Sequence, residues 1–476
     1  MSERQGVVIS GVDRAWLEMD APANPMVVNA VIEFEPPVNE YRLCAEMVER
    51  ILRHPRFRQR AEMEPAPPRW VDDEAFNVEY HSQVIPPQQF PSDAMLRAAI
   101  EAQVSQPLDR TMPLWRLFVY ARPDRSATVL FRAHHGLADG IALVQMLMQC
   151  LDGAPKKNGA APAHEPRTRH HGPLGKLIDR LEWVNAMAER VGDFALADLR
   201  HPEWIPGQLR EARDMATAVT HVLALPEDNP RELCRPLQAR RSVAWAGDIP
   251  LAPVKRLAHA TGAKVNDVFL AAVAGAFNRY LQVHGAALKQ TQNLRVSVPV
   301  NLRPAGEQGL GNCFGLVLVD LPVGVRDWQQ RLELVRQRME QLKHSPTARV
   351  VLFSLAAAGH LPASFEKQLV RRVAAKSAAV VSNLRGPARA MALAGMRIRT
   401  LAFWPPAAET IGVGLSLFSF NRHITVGICA DRGVVANAQS LLDALREELR
   451  AMSGATRRPR KPVARKAALE RPAAPA

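Results

Sequence analysis

The chain lacks most of the signatures that give a catalytic mechanism away. Its five cysteines, Cys44, Cys150, Cys234, Cys313 and Cys429, are scattered, odd in number and form no CxxC pair. That pattern argues against a disulfide framework and a zinc site, and fits a reducing compartment. There is no GxSxG nucleophile elbow, no GxxxxGK[ST] phosphate loop and no GxGxxG dinucleotide turn. Nor is there a run of ~18 apolar residues of the kind a membrane span needs. The longest candidate, "VLFSLAAAGHLPASF", is broken by His360 and Pro362. The first twenty residues carry charges where a signal peptide would need an apolar core. A soluble or peripheral cytoplasmic protein is the expectation.

Acidic residues are also in short supply. Lys and Arg number 61 against 47 Asp and Glu, for a net charge of +14. Part of the excess is local: residues 453–476 hold seven basic residues and only Glu470 on the acidic side, which contributes +6. This Pro-, Ala- and Arg-rich tail cannot bury a core and is expected to be disordered. It interleaves no aromatic residues, so specific nucleic-acid binding is not expected, and an anionic lipid surface suits it better. The rest is globular in composition, 47% hydrophobic and 23% charged, and too long for one ordinary core.

A polar stretch rich in Gly, Ala and Pro, 152–173, reads as a linker between an N-terminal block, 1–151, and a C-terminal block, 174–452. Both blocks mix strands and helices. In the first, "MVVNAVIEFE", "WRLFVYA" and "SATVLFRA" read as strands, and "YRLCAEMVERILRH" and "DAMLRAAIEAQVS" as helices. The second holds an amphipathic helix near "LGKLIDRLEWVNAMAERV", the strands "RRSVAWAGDI", "LRVSVPVNL" and "FGLVLVDLPV", and the long apolar helix "NDVFLAAVAGAFNRYLQVHG". A strand-rich region and a last helix, "AQSLLDALREELRAM", follow. The expected class is α/β of the α+β type, two similar layered halves.

The densest ionisable chemistry lies in "FRAHHGLADGIAL", residues 131–143. His134 and His135 fall where a strand ends, and Asp139-Gly140 opens a helix with an apolar face. A neutral imidazole can take a proton from an alcohol or amine, and the carboxylate can orient it or pair with an arginine to lock the turn. Gly136 would admit a close backbone approach, and Gly140 an unusual backbone conformation. A purely structural histidine pair is the plain alternative, and metal ligation by His134, His135 and Asp139 a second. No further His/Cys pair stands at ligand spacing, so no metal is expected. His170-His171, in the linker with no Asp-Gly after it, shows that adjacent histidines alone mean little.

The HHxxxDG pattern of His134, His135, Asp139 and Gly140 resembles the signature of the chloramphenicol-acetyltransferase-like acyltransferases. Further stretches narrow the likeness: "SGVDRAWLEMDAPANPMVV" with Asp13 and Asn24 to Met26, "PLWRL", "VNDVFLAAVAGAFNRYL", "VPVNLRP", "GNCFG" and "SNLRGP", in that order. Together they resemble the bacterial wax ester synthase/acyl-CoA:diacylglycerol acyltransferase family over residues 8–450. Two positions depart from it: Arg385 stands where proline precedes the glycine, and Val27 where a histidine often follows the "PM" pair.

The resemblance implies two chloramphenicol-acetyltransferase-like halves around a central channel. It implies His135 as general base, with acyl-CoA as co-substrate and no bound cofactor, and a long-chain alcohol or diacylglycerol as acceptor. His134 belongs to the same motif, and Asp139 would be a structural anchor held by an arginine, for which Arg295 and Arg116 are the candidates. Gly136, Pro113, Leu114, Trp115, Asn266 and Asp267 are the candidate substrate-binding residues. For Pro113, Leu114 and Trp115 packing is the alternative, for Asn266 a helix N-cap, and for Gly311, Asn312 and Gly315 a simple turn. The implied setting is the periphery of the inner membrane or of lipid inclusions. Another alcohol or amine acceptor, or a catalytically silent lipid-binding role, stands as the alternative function. Oligomeric state is not legible in the sequence.

Overall fold

The computed structural model describes residues 6–23, 25–153, 229–301, 312, 314–343, 372, 375–406 and 410–454. The amphipathic helix expected near residue 174, nearly all of the linker and nearly all of the basic tail lie outside these residues.

The N-terminal lobe is built on a six-stranded sheet. Its centre is β2 (Val27–Phe34) against β7 (Ala127–His134), followed by β6 (Trp115–Ala121) and the edge strand β5 (Ser82–Ile85). Every residue of β7 is buried, because strands pair on both sides of it and helices cover the sheet. The covering helices include α2 (Glu40–Ile51), which begins at an Asn39 cap and buries Leu43, Met47, Val48 and Ile51 at helical spacing. α4 (Asp93–Val104) buries Leu96, Ile100 and Val104. Short elements complete the lobe: β1 (Val7–Val8), α1 (Gly11–Met19), β3 (Gln59–Glu62), β4 (Arg69–Asp72), α3 (Val78–His81) and, after β7, α5 (Gly140–Gln149). β1, β4 and β3 form a small antiparallel sheet of their own.

The C-terminal lobe repeats the plan. Its six-stranded sheet runs β10 (Phe314–Leu321), β9 (Leu294–Asn301), β11 (Ala379–Arg385), β14 (Val413–Phe420), β15 (His423–Asp431) and β8 (Arg241–Pro250). Four helices belong to this lobe among the described residues: α6 (Leu251–Thr261), α7 (Val265–Val283), α8 (Trp328–Lys343) and α9 (Ala438–Gly454). α7 is apolar all round from Val268 to Ala276 and is accordingly the lobe's central helix, buried on every side. Glu448 of α9 reaches the buried Arg331 of α8 and, at 2.5 Å, Arg279 of α7. Gly275 makes room for this group, since a Cβ there would collide with both Glu448 and Arg331.

The expectation of two mixed-sheet halves holds, but the division near residue 151 is not clean. After β11 the chain leaves the C-terminal sheet, adds β12 (Ala392–Leu393) and β13 (Met396–Trp404) to the N-terminal one, and returns to β14. β13 pairs antiparallel with β2, so a segment assigned by sequence to the second block completes the first block's sheet. Asp152 fastens this crossover: its N–H donates to Ala392 O at 2.7 Å, and its carboxylate accepts from Gly395 N–H and pairs with Arg50.

A second seam joins α4 to β8. β8 is an edge strand, and its N–H groups at Arg241 and Val243 donate to Ser105 Oγ (3.0 Å) and Glu101 Oε1 (2.9 Å) of the other lobe. Glu101 Oε2 also accepts from Arg432 at 2.6 Å. An edge that would otherwise invite another strand is closed within the chain. Replacing Glu101 with Ala leaves the part-buried Val243 N–H without its acceptor; an unfolding-free-energy loss of about 1 kcal/mol is expected in denaturant titration.

Candidate active site

The fold delivers the histidine pair at the end of its best-buried strand. His134 is the last residue of β7 and is held from both neighbours: it lies opposite Val27 of β2, and its N–H donates to Leu114 O at 3.0 Å. The chain then turns. His135 N–H donates to Met26 O at 2.7 Å, and Leu137 N–H to His134 O at 3.0 Å. Asp139 closes the turn by capping α5, its Oδ1 accepting from Ala142 N–H at 2.7 Å.

The two imidazoles do different work. Gly136 N–H donates to His134 Nδ1 at 2.9 Å, which fixes that nitrogen as an acceptor and leaves a neutral ring's proton on Nε2. Nε2 faces the Asp20 carboxylate at 3.7 Å. Burial pushes the Asp20 carboxyl upward, but His134 and the Met26 N–H outweigh it, and Asp20 ends below its ordinary value. His134 is thus a brace. His135 is 6% exposed and stacks on the Trp16 indole of α1, with ring centroids 4.0 Å apart and planes 25° from parallel. Burial holds its imidazole down to about 4, against the pull of the Asp139 charge upward and with help from neighbouring His134. The His135 imidazole is therefore neutral at physiological pH.

One contact in the turn comes from the other lobe. Asn312, just before β10, donates through Nδ2 to His135 O (2.9 Å) and to Asp13 Oδ1 (2.7 Å). Asp13 is buried in α1, and its carboxyl is pushed up by desolvation despite bonds from Asn312 and Ser10 and the charge of Arg56. Asn312 thus joins the histidine turn to α1, while Gly311 and Cys313 lie outside the described residues; neither Asn312 nor Trp16 stands out in the sequence as a site residue. The only sequence signal for them was membership of family-like stretches.

The two arginine candidates have other partners among the described residues. Arg295, on β9, pairs with Asp320 of β10 at 2.7 Å, its cross-strand neighbour. Arg116, on β6, lies over the rings of Tyr80 and Phe118. Sequence spacing carries no information about which face of a strand an arginine will occupy within a two-sheet fold. The expectation for Gly140 is corrected: it is an ordinary first helical residue, and a Cβ there would meet nothing within 4 Å. Gly136 does require glycine, since a Cβ would lie 2.9 Å from Leu17 Cγ and 3.0 Å from His134 Nδ1.

Leu114 and Trp115 are packing residues: both are fully buried in the N-terminal core, with Trp115 Nε1 donating to Phe57 O and its ring stacked on His81; Pro113 is buried beside them. Asn266 is the second residue of α7, not its cap. Asp267 fills the capping role by accepting from Lys264 N–H at 2.8 Å, while Asn266 Oδ1 accepts from Asn383 of β11. The "VND" and "SNLRGP" stretches therefore meet. Of the two departures, Val27 is the strand partner of His134, and Arg385 is exposed at the end of β11. Among the described residues no three or more His, Cys, Asp or Glu come together as a metal site.

Two lobes of mixed sheet are the fold this chain shares with a wax ester synthase and with condensation domains. A wax ester synthase/diacylglycerol acyltransferase from Marinobacter aquaeolei superposes with a TM-score of 0.64, covering 94% of this chain and 100% of that one at 21% identity. The first condensation domain of the CDA synthetase superposes with a TM-score of 0.58, covering 95% and 96% at 16% identity.

Sequence gives the family. Residues 9–269 match the wax ester synthase/diacylglycerol acyltransferase catalytic domain, and residues 310–453 the WS/DGAT C-terminal domain. A putative diacylglycerol O-acyltransferase of Mycobacterium tuberculosis is 30% identical over 359 residues, 69% of this chain and 68% of that one. A probable diacylglycerol O-acyltransferase of the same organism is 26% identical over 449 residues, 92% and 93% of the two chains. The chain belongs to the wax ester synthase/diacylglycerol acyltransferase family.

The brace around the turn can be tested by stability alone. Asp139→Ala removes the α5 cap and is expected to cost about 1 kcal/mol, whereas Asp139→Asn keeps an acceptor oxygen and should retain most of it, as read by denaturant unfolding.

Proposed function

We propose that this protein transfers an acyl group from acyl-CoA to the hydroxyl of a long-chain alcohol or diacylglycerol, giving a wax ester or triacylglycerol and free CoA. His135 is the general base. Its neutral imidazole takes the hydroxyl proton as the acceptor oxygen attacks the thioester carbonyl; the tetrahedral intermediate collapses, the C–S bond breaks, and the imidazolium returns the proton to the departing thiolate. Both substrates are held together, so no covalent acyl-enzyme is required and no bound cofactor enters. The observation that carries this reading is His135 itself: a buried, neutral imidazole on a turn held by both lobes.

His134, Asp139 and Gly136 support that base by shaping the turn. Among the described residues no helix is long and apolar enough to cross a membrane. The net charge of +14, concentrated partly in residues 453–476, supports attachment to an anionic lipid surface where such acceptors reside. Val27, placed against His134 where relatives often carry histidine, favours one second reading: a different alcohol or amine as acceptor.

The test is CoA release from palmitoyl-CoA by the purified chain, with hexadecanol or dipalmitoylglycerol as acceptor. Acceptor-dependent release should fall about 10²- to 10⁴-fold in His135→Ala. Equal release by both proteins would remove His135 as base, and turnover confined to another alcohol or an amine would establish the second reading. The pH profile adds an independent check. Protonation disables the base, so with a folded value of about 4 the rate should stay level from neutrality down to roughly pH 5 and fall below it.

A further inference from the structure

We propose that Trp16 and Asn312 are positioning residues for His135: the Trp16 indole sets the plane of the imidazole from one side, and Asn312, supplied by the opposite lobe, ties down the backbone of the same turn. The proposal rests on the reading of His135 as base.

Three observations converge. The Trp16 and His135 rings are stacked at 4.0 Å, too close for water between them, so imidazole rotation on that side is blocked. Asn312 uses one amide nitrogen to hold both the His135 carbonyl and Asp13, which sits three residues before Trp16 on α1. α1 and the histidine turn are therefore tied to each other through a residue of the C-terminal lobe. Finally, α1 divides its packing: Leu17 joins the N-terminal core, while the face that carries Trp16 packs apart from it. Val12, Trp16, Met19 and Met26 form a small cluster of their own, with Leu316 of β10 packed against it, outside the main core of either lobe. The base is thus fully aligned only where the lobes are joined at Asn312, because a base misplaced by about 1 Å loses rate steeply.

Among the described residues, the charged and titratable groups around His135 are these. Asp139 and His134 lie on its own turn, Asp13 reaches it through Asn312, Asp20 stands behind His134, and Arg56 lies beyond Asp13. Trp16 carries no charge and contributes burial. Opening that face to water should therefore raise the His135 value from about 4 toward its ordinary 6.5. A merely structural tryptophan would lower the amount of folded protein without moving the acid limb of the rate.

The experiment measures kcat and KM for CoA release from palmitoyl-CoA, with the acceptor that wild type uses, between pH 4 and pH 8. Trp16→Ala should lower kcat about 10- to 100-fold with KM within about threefold, and move the acid limb up by about one unit or more. Trp16→Phe, which keeps a stacked ring, should recover most of the rate and the wild-type limb. Asn312→Ala deletes two hydrogen bonds and little apolar packing, so it tests the proposal even if Trp16→Ala folds poorly; its kcat should fall about tenfold or more at nearly constant KM. Either alanine variant with wild-type kcat and an unmoved acid limb overturns the role of that residue. His135→Ala, run alongside, separates the two levels: full turnover there removes the base itself, whereas loss there with normal Trp16 and Asn312 variants removes only the positioning.

Discussion

The pairing of β13 with β2 is the constraint on which the rest of this structure depends. β2 is the strand that flanks β7 on one side, and β7 ends at His134. Without β13, β2 would be an exposed edge and β7 would lie one strand from solvent. The histidine turn would then hang from a sheet margin, where fluctuation is greatest. By sending residues 392–404 across from the C-terminal lobe, the chain makes completion of the N-terminal sheet and joining of the lobes the same event. The seam therefore comes built into the fold. The Asp152 bonds at the crossover and the Glu101 and Ser105 bonds at β8 reinforce it at separate points.

A catalytic base of low pKa is a compromise between two opposed requirements. It must be neutral to accept a proton, which burial secures, and it must bear a positive charge once the proton has moved, which burial resists. Asp139 bears on the second requirement. Its charge lies near enough to raise the His135 value, while its Oδ1 is fixed by the α5 cap, so the carboxylate stays where a transient imidazolium would benefit from it. His134 pulls the other way. With its Nδ1 occupied by Gly136 N–H and its other face toward Asp20, it is suited to bracing the turn.

The sequence made local structure readable and long-range structure unreadable, and particular residues show why. β7 follows from a run of β-branched and apolar residues, α7 from a long apolar run and α5 from its apolar face, and the HHxxxDG turn falls between β7 and α5 as the pattern required. The destination of β13 does not follow, because nothing in "MRIRTLAFW" distinguishes a strand of one sheet from a strand of the other. Nor do the partners of Arg295 and Arg116 follow: a cross-strand carboxylate and two aromatic faces are set by the sheet pairing, which sequence distance does not show. Trp16 and Asn312, one on α1 and one ahead of β10, meet the turn only through the tertiary fold.

That the site is assembled from distant segments has a consequence for how such a fold can vary. The two histidines and the cap of α5 lie within six consecutive residues, His134 to Asp139, and can persist as a unit. The groups that surround the unit come from elsewhere: Trp16 from α1, Val27 from β2 and Asn312 from the other lobe. A change such as histidine to valine at position 27 alters the side chain across from His134 while leaving the backbone ladder between β2 and β7 complete, since that ladder uses main-chain groups only. The histidine turn and the groups that surround it are therefore encoded in different parts of the chain, so the surroundings can change while the turn is kept.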